Sequence, residues 1–251
     1  VAITYFNSAS NPADDANNTT TPIVVTPPAS MVAGDLVLFI GQTRAGGGTV
    51  SYAISATGGQ SWTALAKVDG FDYQSAQLFW CLFNGTWTVD PSISVTGGIS
   101  AWSAVMHVFR PTTGANTWAV DQAQVGSTYA VPSTPFTVTI TGQTTAQANT
   151  VTLAGWFSQD DNTWGSLSGT GWVQTGSAQY RNSSGADQSS TYAHKIQTSA
   201  AATANVSKNQ ATIGGDSGMS LIVTFYEISA GVFLPRPNKP ILQAVNRAST
   251  Y

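Results

Sequence analysis

The chain has 251 residues, only 8% of them charged, with a formal net charge of −3 and a single cysteine. A lone thiol excludes both an intrachain disulfide and a thiolate zinc cluster. A near-neutral balance without a basic stripe excludes the electrostatic footprint of a nucleic-acid binder, and no apolar run approaches the ~18 residues of a membrane span.

In chain order, residues 1–6 mix β-branched and aromatic side chains and predict a first strand; they lack the basic start of a signal peptide. Residues 11–21 are rich in Asn, Asp, Thr and Pro and predict a loop. Ile23, Val24 and Val25 make a short strand that stops before Pro27 and Pro28, since proline donates nothing to a central ladder. Gly34 and Asp35 then open the strand on which the chain is organised, residues 36–40, whose apolar side chains need cover on both faces. Gly46, Gly47 and Gly48 lie in a hairpin connection, without the helix start and the lysine that a phosphate loop requires. Strands follow near 50–54 and 62–66, an aromatic strand over 76–83 and a closing strand over 101–110. Residues 136–141 alternate Phe136, Val138 and Ile140 with threonines, the pattern of a half-buried antiparallel strand.

The organising strand then returns. A weaker copy occupies 149–156, and the corner Gly59-Gln60-Ser61-Trp62 recurs as Gly169-Thr170-Gly171-Trp172. Asn149 follows Gly34 by 115 residues, Trp172 follows Trp62 by 110, and Ser220 follows Ser103 by 117. So steady an offset marks a duplicated unit. An aromatic strand over 190–197 and a closing strand over 220–228 complete the second copy. The expected fold is all-β: an antiparallel, jelly-roll-like β-sandwich over 1–229, with pseudo-repeats at approximately 23–111 and 135–229. Each half offers about five clear strands, so the expectation is one sandwich in which the halves complete each other.

Residues 230–251 leave this pattern and predict an extended C-terminal arm. Pro235, Pro237 and Pro240 forbid a regular central strand. Phe233, Leu234, Ile241, Leu242 and Val245 supply apolar anchors, and Arg236 and Arg247 supply charge, for a partner surface.

The order running from Pro28 to Gly34-Asp35, through Gly59 and Trp62, Leu78 to Trp80, and Ala101 to Arg110-Pro111 resembles a family of β-sandwich virion and surface proteins of tailed bacteriophages. The resemblance covers roughly 1–229; the second half has Asn149-Thr150 in place of Gly-Asp. It implies a virion structural protein without catalysis: a capsid decoration, a head or tail fibre, or a tail-associated component on the particle surface. Its partners would be other virion proteins and copies of itself. The low charge agrees, because neutral polar groups cost less to desolvate than ions and suit permanent packing. The alternative is a carbohydrate-binding or host-surface adhesion module.

Catalytic constellations are weak. Gly215-Asp216-Ser217-Gly218 looks like the nucleophile segment of trypsin-like proteases, but Met219 stands where that family has glycine. Neither His107 nor His194 has the setting of a triad base, so this stretch predicts a tight turn. Glycoside hydrolysis needs paired carboxylates, and Glu227 is the sole glutamate. Asp160-Asp161-Asn162 offers oxygen ligands without EF-hand spacing and is read as a solvated loop. No metal or cofactor is expected. Cys81 is read as a small buried hydrophobe, and the tryptophans of strands and corners as core. The exceptions are loop aromatics with polar company: Asp72 and Tyr73, Asp161 and Trp164, and Tyr180 with Arg181 and Asn182. These seven are the candidate contacts for a host-surface glycan.

Overall fold

A computed structural model describes residues 2–12, 21–45, 47, 49–71, 73–97, 99–114, 116–130, 136–183, 187–210 and 216–229. Asp72 and the whole predicted arm, from Phe233 to Arg247, lie outside them. In β3 (Leu36–Ala45) the predicted double-faced burial is present: Leu36, Leu38 and Ile40 enter one core, Val37 and Phe39 another. Two layers must therefore flank this strand.

The first half runs β1 (Thr4–Asn11), β2 (Ile23–Val24), β3, β4 (Ser51–Ala56), β5 (Thr63–Ala64), β6 (Val68–Asp69), β7 (Gln74–Leu82), β8 (Ser92–Thr96) and β9 (Ile99–Arg110). The second runs β10 (Thr117–Tyr129), β11 (Phe136–Ile140), β12 (Thr150–Ser158), β13 (Trp164–Ser168), β14 (Val173–Gln174), β15 (Tyr180–Asn182), β16 (Gln188–Gln197), β17 (Val206–Gln210) and β18 (Gly218–Ile228). Among the described residues there is no helix, hence none long and apolar enough to cross a membrane.

The large sheet of the first half has the order β1-β9-β3-β7-β5, with β6 also on β7, and its small sheet is β2-β8-β4. In the second half the orders are β10-β18-β12-β16-β14, with β15 on β16, and β11-β17-β13. Adding nine to every strand number of the first half reproduces the second. Successive strands pass back and forth between two antiparallel sheets, which is the winding of a jelly roll. The duplication is thus a property of the topology.

Each half brings both of its sheets, so the expectation that two incomplete halves share one sandwich is corrected. The two large sheets face each other across a central core that takes Leu36, Leu38, Leu78 and Phe109 from one half and Leu153, Phe157, Leu221 and Phe225 from the other. Outside it, the first half closes a second core between its large and small sheets around Phe39, Cys81, Trp102 and Met106, and the second half a third around Trp156, Trp164 and Trp172. The stack is four layers deep. The repeat unit also starts earlier than expected in both copies, because β1 and β10 are its first strands.

Backbone chemistry explains where the copies differ. Gly34 and Asn149 occupy the same entry position before β3 and β12, and both have positive φ, +96° and +51°. Asparagine is among the few side-chain-bearing residues that tolerate this region. Only the first copy needs glycine outright, since a Cβ on Gly34 would lie 2.8 Å from the Gly114 carbonyl oxygen. Asp35, fully buried, holds Arg110 at both carboxylate oxygens, each at 3.0 Å, and accepts the Val32 N–H; Arg110 lies over the Phe6 ring. Glu227 has a comparable structural duty: its Oε1 accepts the Thr112 N–H at 2.6 Å, the Thr112 hydroxyl and the Asn116 amide, which pins the turn between the halves.

Candidate functional site

Of the seven residues singled out as glycan contacts, three are structural. Trp164 belongs to β13, is 5% exposed, and donates its indole N–H to Ser189 Oγ at 3.0 Å. Tyr180 belongs to β15 and lies in the central core, its hydroxyl donating to Ser8 Oγ of the other half. Asn182, fully buried, donates to the Trp102 carbonyl at 2.8 Å. Their loop-like sequence surroundings are real, but a long-range sheet covers them, so no ligand reaches them. Asp161 and Arg181 are half-buried, Asp72 lies outside the described residues, and of the six described Tyr73 alone is openly exposed.

Tyr73 does not stand alone on the surface. The turn from β6 to β7 is closed by two backbone bonds, Gly70 N–H to Gln74 O at 2.7 Å and Gln74 N–H to Phe71 O at 3.0 Å. It presents Phe71 and Tyr73 to solvent, 44% and 56% exposed. Beneath them opens a cavity of about 700 Å³ lined by Val50, Lys67, Asp69, Phe71, Tyr73 and Gln74. A neighbouring cavity of about 490 Å³ shares Lys67 and Asp69 and continues along β10, past Gln124, Ser127 and Thr128. Its wall is tight, because a Cβ on Gly126 would lie 2.7 Å from the Val68 methyls.

The polar groups of this groove are fixed in advance. Lys67 Nζ donates to the Val50 carbonyl at 2.9 Å and pairs with Asp69 at 2.7 Å. Gln124 Nε2 donates to the Ala66 carbonyl, which leaves Gln124 Oε1 buried without a partner. Gln74 is fully buried and neither atom of its amide has a partner.

No family model, curated protein or solved structure matches the chain. Function is therefore read from the geometry and from the motif resemblance.

Two other polar clusters are present. At one end of the second half Asp160 and Asp161, expected in a solvated loop, meet Asp187, with carboxylate oxygens within 4.8 Å of one another. This is a set of hard oxygen ligands of the kind a divalent cation takes. Burial, then Asp160, push the Asp187 carboxyl up to about 6, against the opposing pull of Arg44 at 3.5 Å. Asp216 is also raised, chiefly by burial, and accepts a hydrogen bond from Asn162. The second cluster is the pair of histidines, both inside the molecule. His107 packs edge-on against Tyr192 at 4.7 Å with neither ring nitrogen bonded, and burial lowers it to about 3. His194 shares a hydrogen with Thr175 Oγ1 at 2.9 Å, and burial lowers it to about 4. Both imidazoles are neutral and enclosed, which is an ill fit to a base serving a surface nucleophile.

Proposed function

We propose that the chain is a non-enzymatic structural component of a tailed-bacteriophage virion: a capsid decoration, a head or tail fibre, or a tail-associated protein. It sits on the particle surface and packs against other virion proteins and copies of itself.

One observation carries this reading beyond the motif resemblance. The few cations of the described body are engaged by its own groups. Arg110 and Arg44 pair with Asp35 and Asp187, Lys67 with Asp69, Lys195 donates to the Thr170 and Thr203 carbonyls, and Lys208 donates to the Gly165 carbonyl. Apart from scattered carboxylates such as Asp69 and Asp90, the described surface left over is mainly neutral and polar, with little desolvation penalty on permanent contact. Three further positive side chains, Arg236, Lys239 and Arg247, lie among the prolines of 230–251, without an acidic neighbour. That segment is the attachment arm in this reading, with Phe233, Leu234, Ile241, Leu242 and Val245 as its apolar anchors.

Gold-labelled antibody against the chain, applied to purified particles of the phage that encodes it, is expected to decorate their surface. Deletion of residues 232–251 is expected to leave the sandwich folded and to abolish incorporation. Recovery of the intact chain only in the particle-free fraction of the lysate would sink the assignment.

A further inference from the structure

We propose that the groove running from the β6–β7 turn along β10 is a binding site for a linear, uncharged oligosaccharide. Phe71 and Tyr73 supply the stacking platform. Asp69, Ser127 and Thr128 supply the hydroxyl partners.

The chemistry of the lining selects this ligand class. A pyranose ring has an apolar C–H face and an equatorial belt of hydroxyls, so it needs an exposed aromatic face beside polar side chains. Phe71 and Tyr73 flank the wider cavity, and Asp69, which lines both cavities, is open to solvent. Ser127 and Thr128, both exposed, line the adjoining one, and their hydroxyls can each donate to and accept from a sugar hydroxyl. The two cavities, about 700 and 490 Å³, share Lys67 and Asp69 and so form one elongated trough, suited to a chain of sugars more than to a single ring.

Charge excludes the nearest competitors. Among the described residues Lys67 and Asp69 are the charged ones of the lining, and at 2.7 Å they neutralise each other. An anionic polymer finds no net positive field there.

Backbone geometry gives an independent indication. Tyr73 has φ +59°, a conformation that is a genuine outlier for a bulky side chain. Such strain persists where the surroundings enforce it, and it clusters at ligand-binding positions. Here the turn bonds on either side of Tyr73 enforce it and hold the ring out over the groove.

The test is an array of tetra- to hexasaccharides, neutral on one half and sialylated or sulfated on the other, probed with the purified chain and followed by calorimetric titration of the neutral hits. Neutral chains are expected to bind, and their anionic counterparts to bind no better. Phe71→Ala and Tyr73→Ala, both at exposed positions, are expected to keep the wild-type melting temperature and weaken binding by about tenfold or more each. A blank neutral panel, preferential binding of anionic chains, or full affinity in both aromatic variants would overturn the assignment. The array reads the isolated chain, so its failure is distinct from a failure of particle labelling.

Discussion

Tyr73 holds a backbone conformation that costs an L-residue about 1–2 kcal/mol, and its ring, 56% exposed, recovers little of that by burial. Removing the side chain should therefore relieve strain. Tyr73→Gly is expected to raise stability by about 0.5–1 kcal/mol, the released strain less the extra entropy that glycine loses on folding, while sugar binding falls. Urea unfolding of the variant checks this; a clear loss of stability would mean that the ring makes contacts worth more than the strain. The same turn shows how far single residues were legible. Tyr73 beside Gly70 and Phe71 carries its turn chemistry locally, and the exposed aromatic was correctly placed on a loop. Trp164, Tyr180 and Asn182 misled for the opposite reason: their neighbours are turn formers, but their burial comes from Ser189, Ser8 and Trp102, far away in the chain.

Elements were legible where burial is two-sided and illegible where it is slight. β3, β7, β9 and β18 announced themselves through apolar runs, β12 and β16 through their place in the repeat, and the six form the inner strands of the large sheets. β10 did not: it is an edge strand, largely exposed along its second half, with Gly126 in its middle. β17 alternates correctly, but two of its three inward positions, Lys208 and Gln210 beside Val206, are polar and hide the strand from an apolar count. The duplicated Gly-x-x-Trp corners were visible as motifs, yet their two tryptophans are not equivalent. Trp172 is 7% exposed in the outer core of the second half and donates its indole N–H to the Thr203 carbonyl at 3.1 Å. Trp62 only leans on the corresponding core, half-buried and stacked on Trp87 at 6.3 Å. Trp172→Ala is accordingly expected to cost about 3–5 kcal/mol and Trp62→Ala distinctly less. Equal losses in paired denaturation curves would mean that the two corners pack alike.

At the scale of the whole molecule the decisive contact is between the two large sheets, and it contains both histidines. Tyr5 of β1, Tyr180 of β15 and Tyr192 of β16 surround His107 at ring distances of 6.4, 6.2 and 4.7 Å, and His194 stacks on Tyr5 at 5.2 Å. No carboxylate is among these ring contacts, so a proton arriving on either imidazole finds no counter-charge there. The folded chain refuses that proton until about pH 3 at His107 and about pH 4 at His194, whereas the unfolded chain accepts both near the ordinary 6.5. A depressed folded value means that the stabilisation is complete above the unfolded value and is lost as pH falls toward the folded one. Each histidine then withdraws about 1.4 kcal/mol for every pH unit below 6.5. Asp187 acts in the other sense, since its raised carboxyl gains stability for the fold as pH falls through about 6 toward its ordinary 3.8. The acid-sensitive element is therefore separable by mutation. His107→Phe keeps a flat ring among the three tyrosines and removes two unpaired nitrogens from the core. Its stability advantage over the wild type is expected to widen by about 2 kcal/mol between pH 7.5 and pH 5, in urea titrations at a series of pH values. Parallel pH profiles for the two proteins would show that His107 is not what makes the seam between the two jelly rolls sensitive to acid.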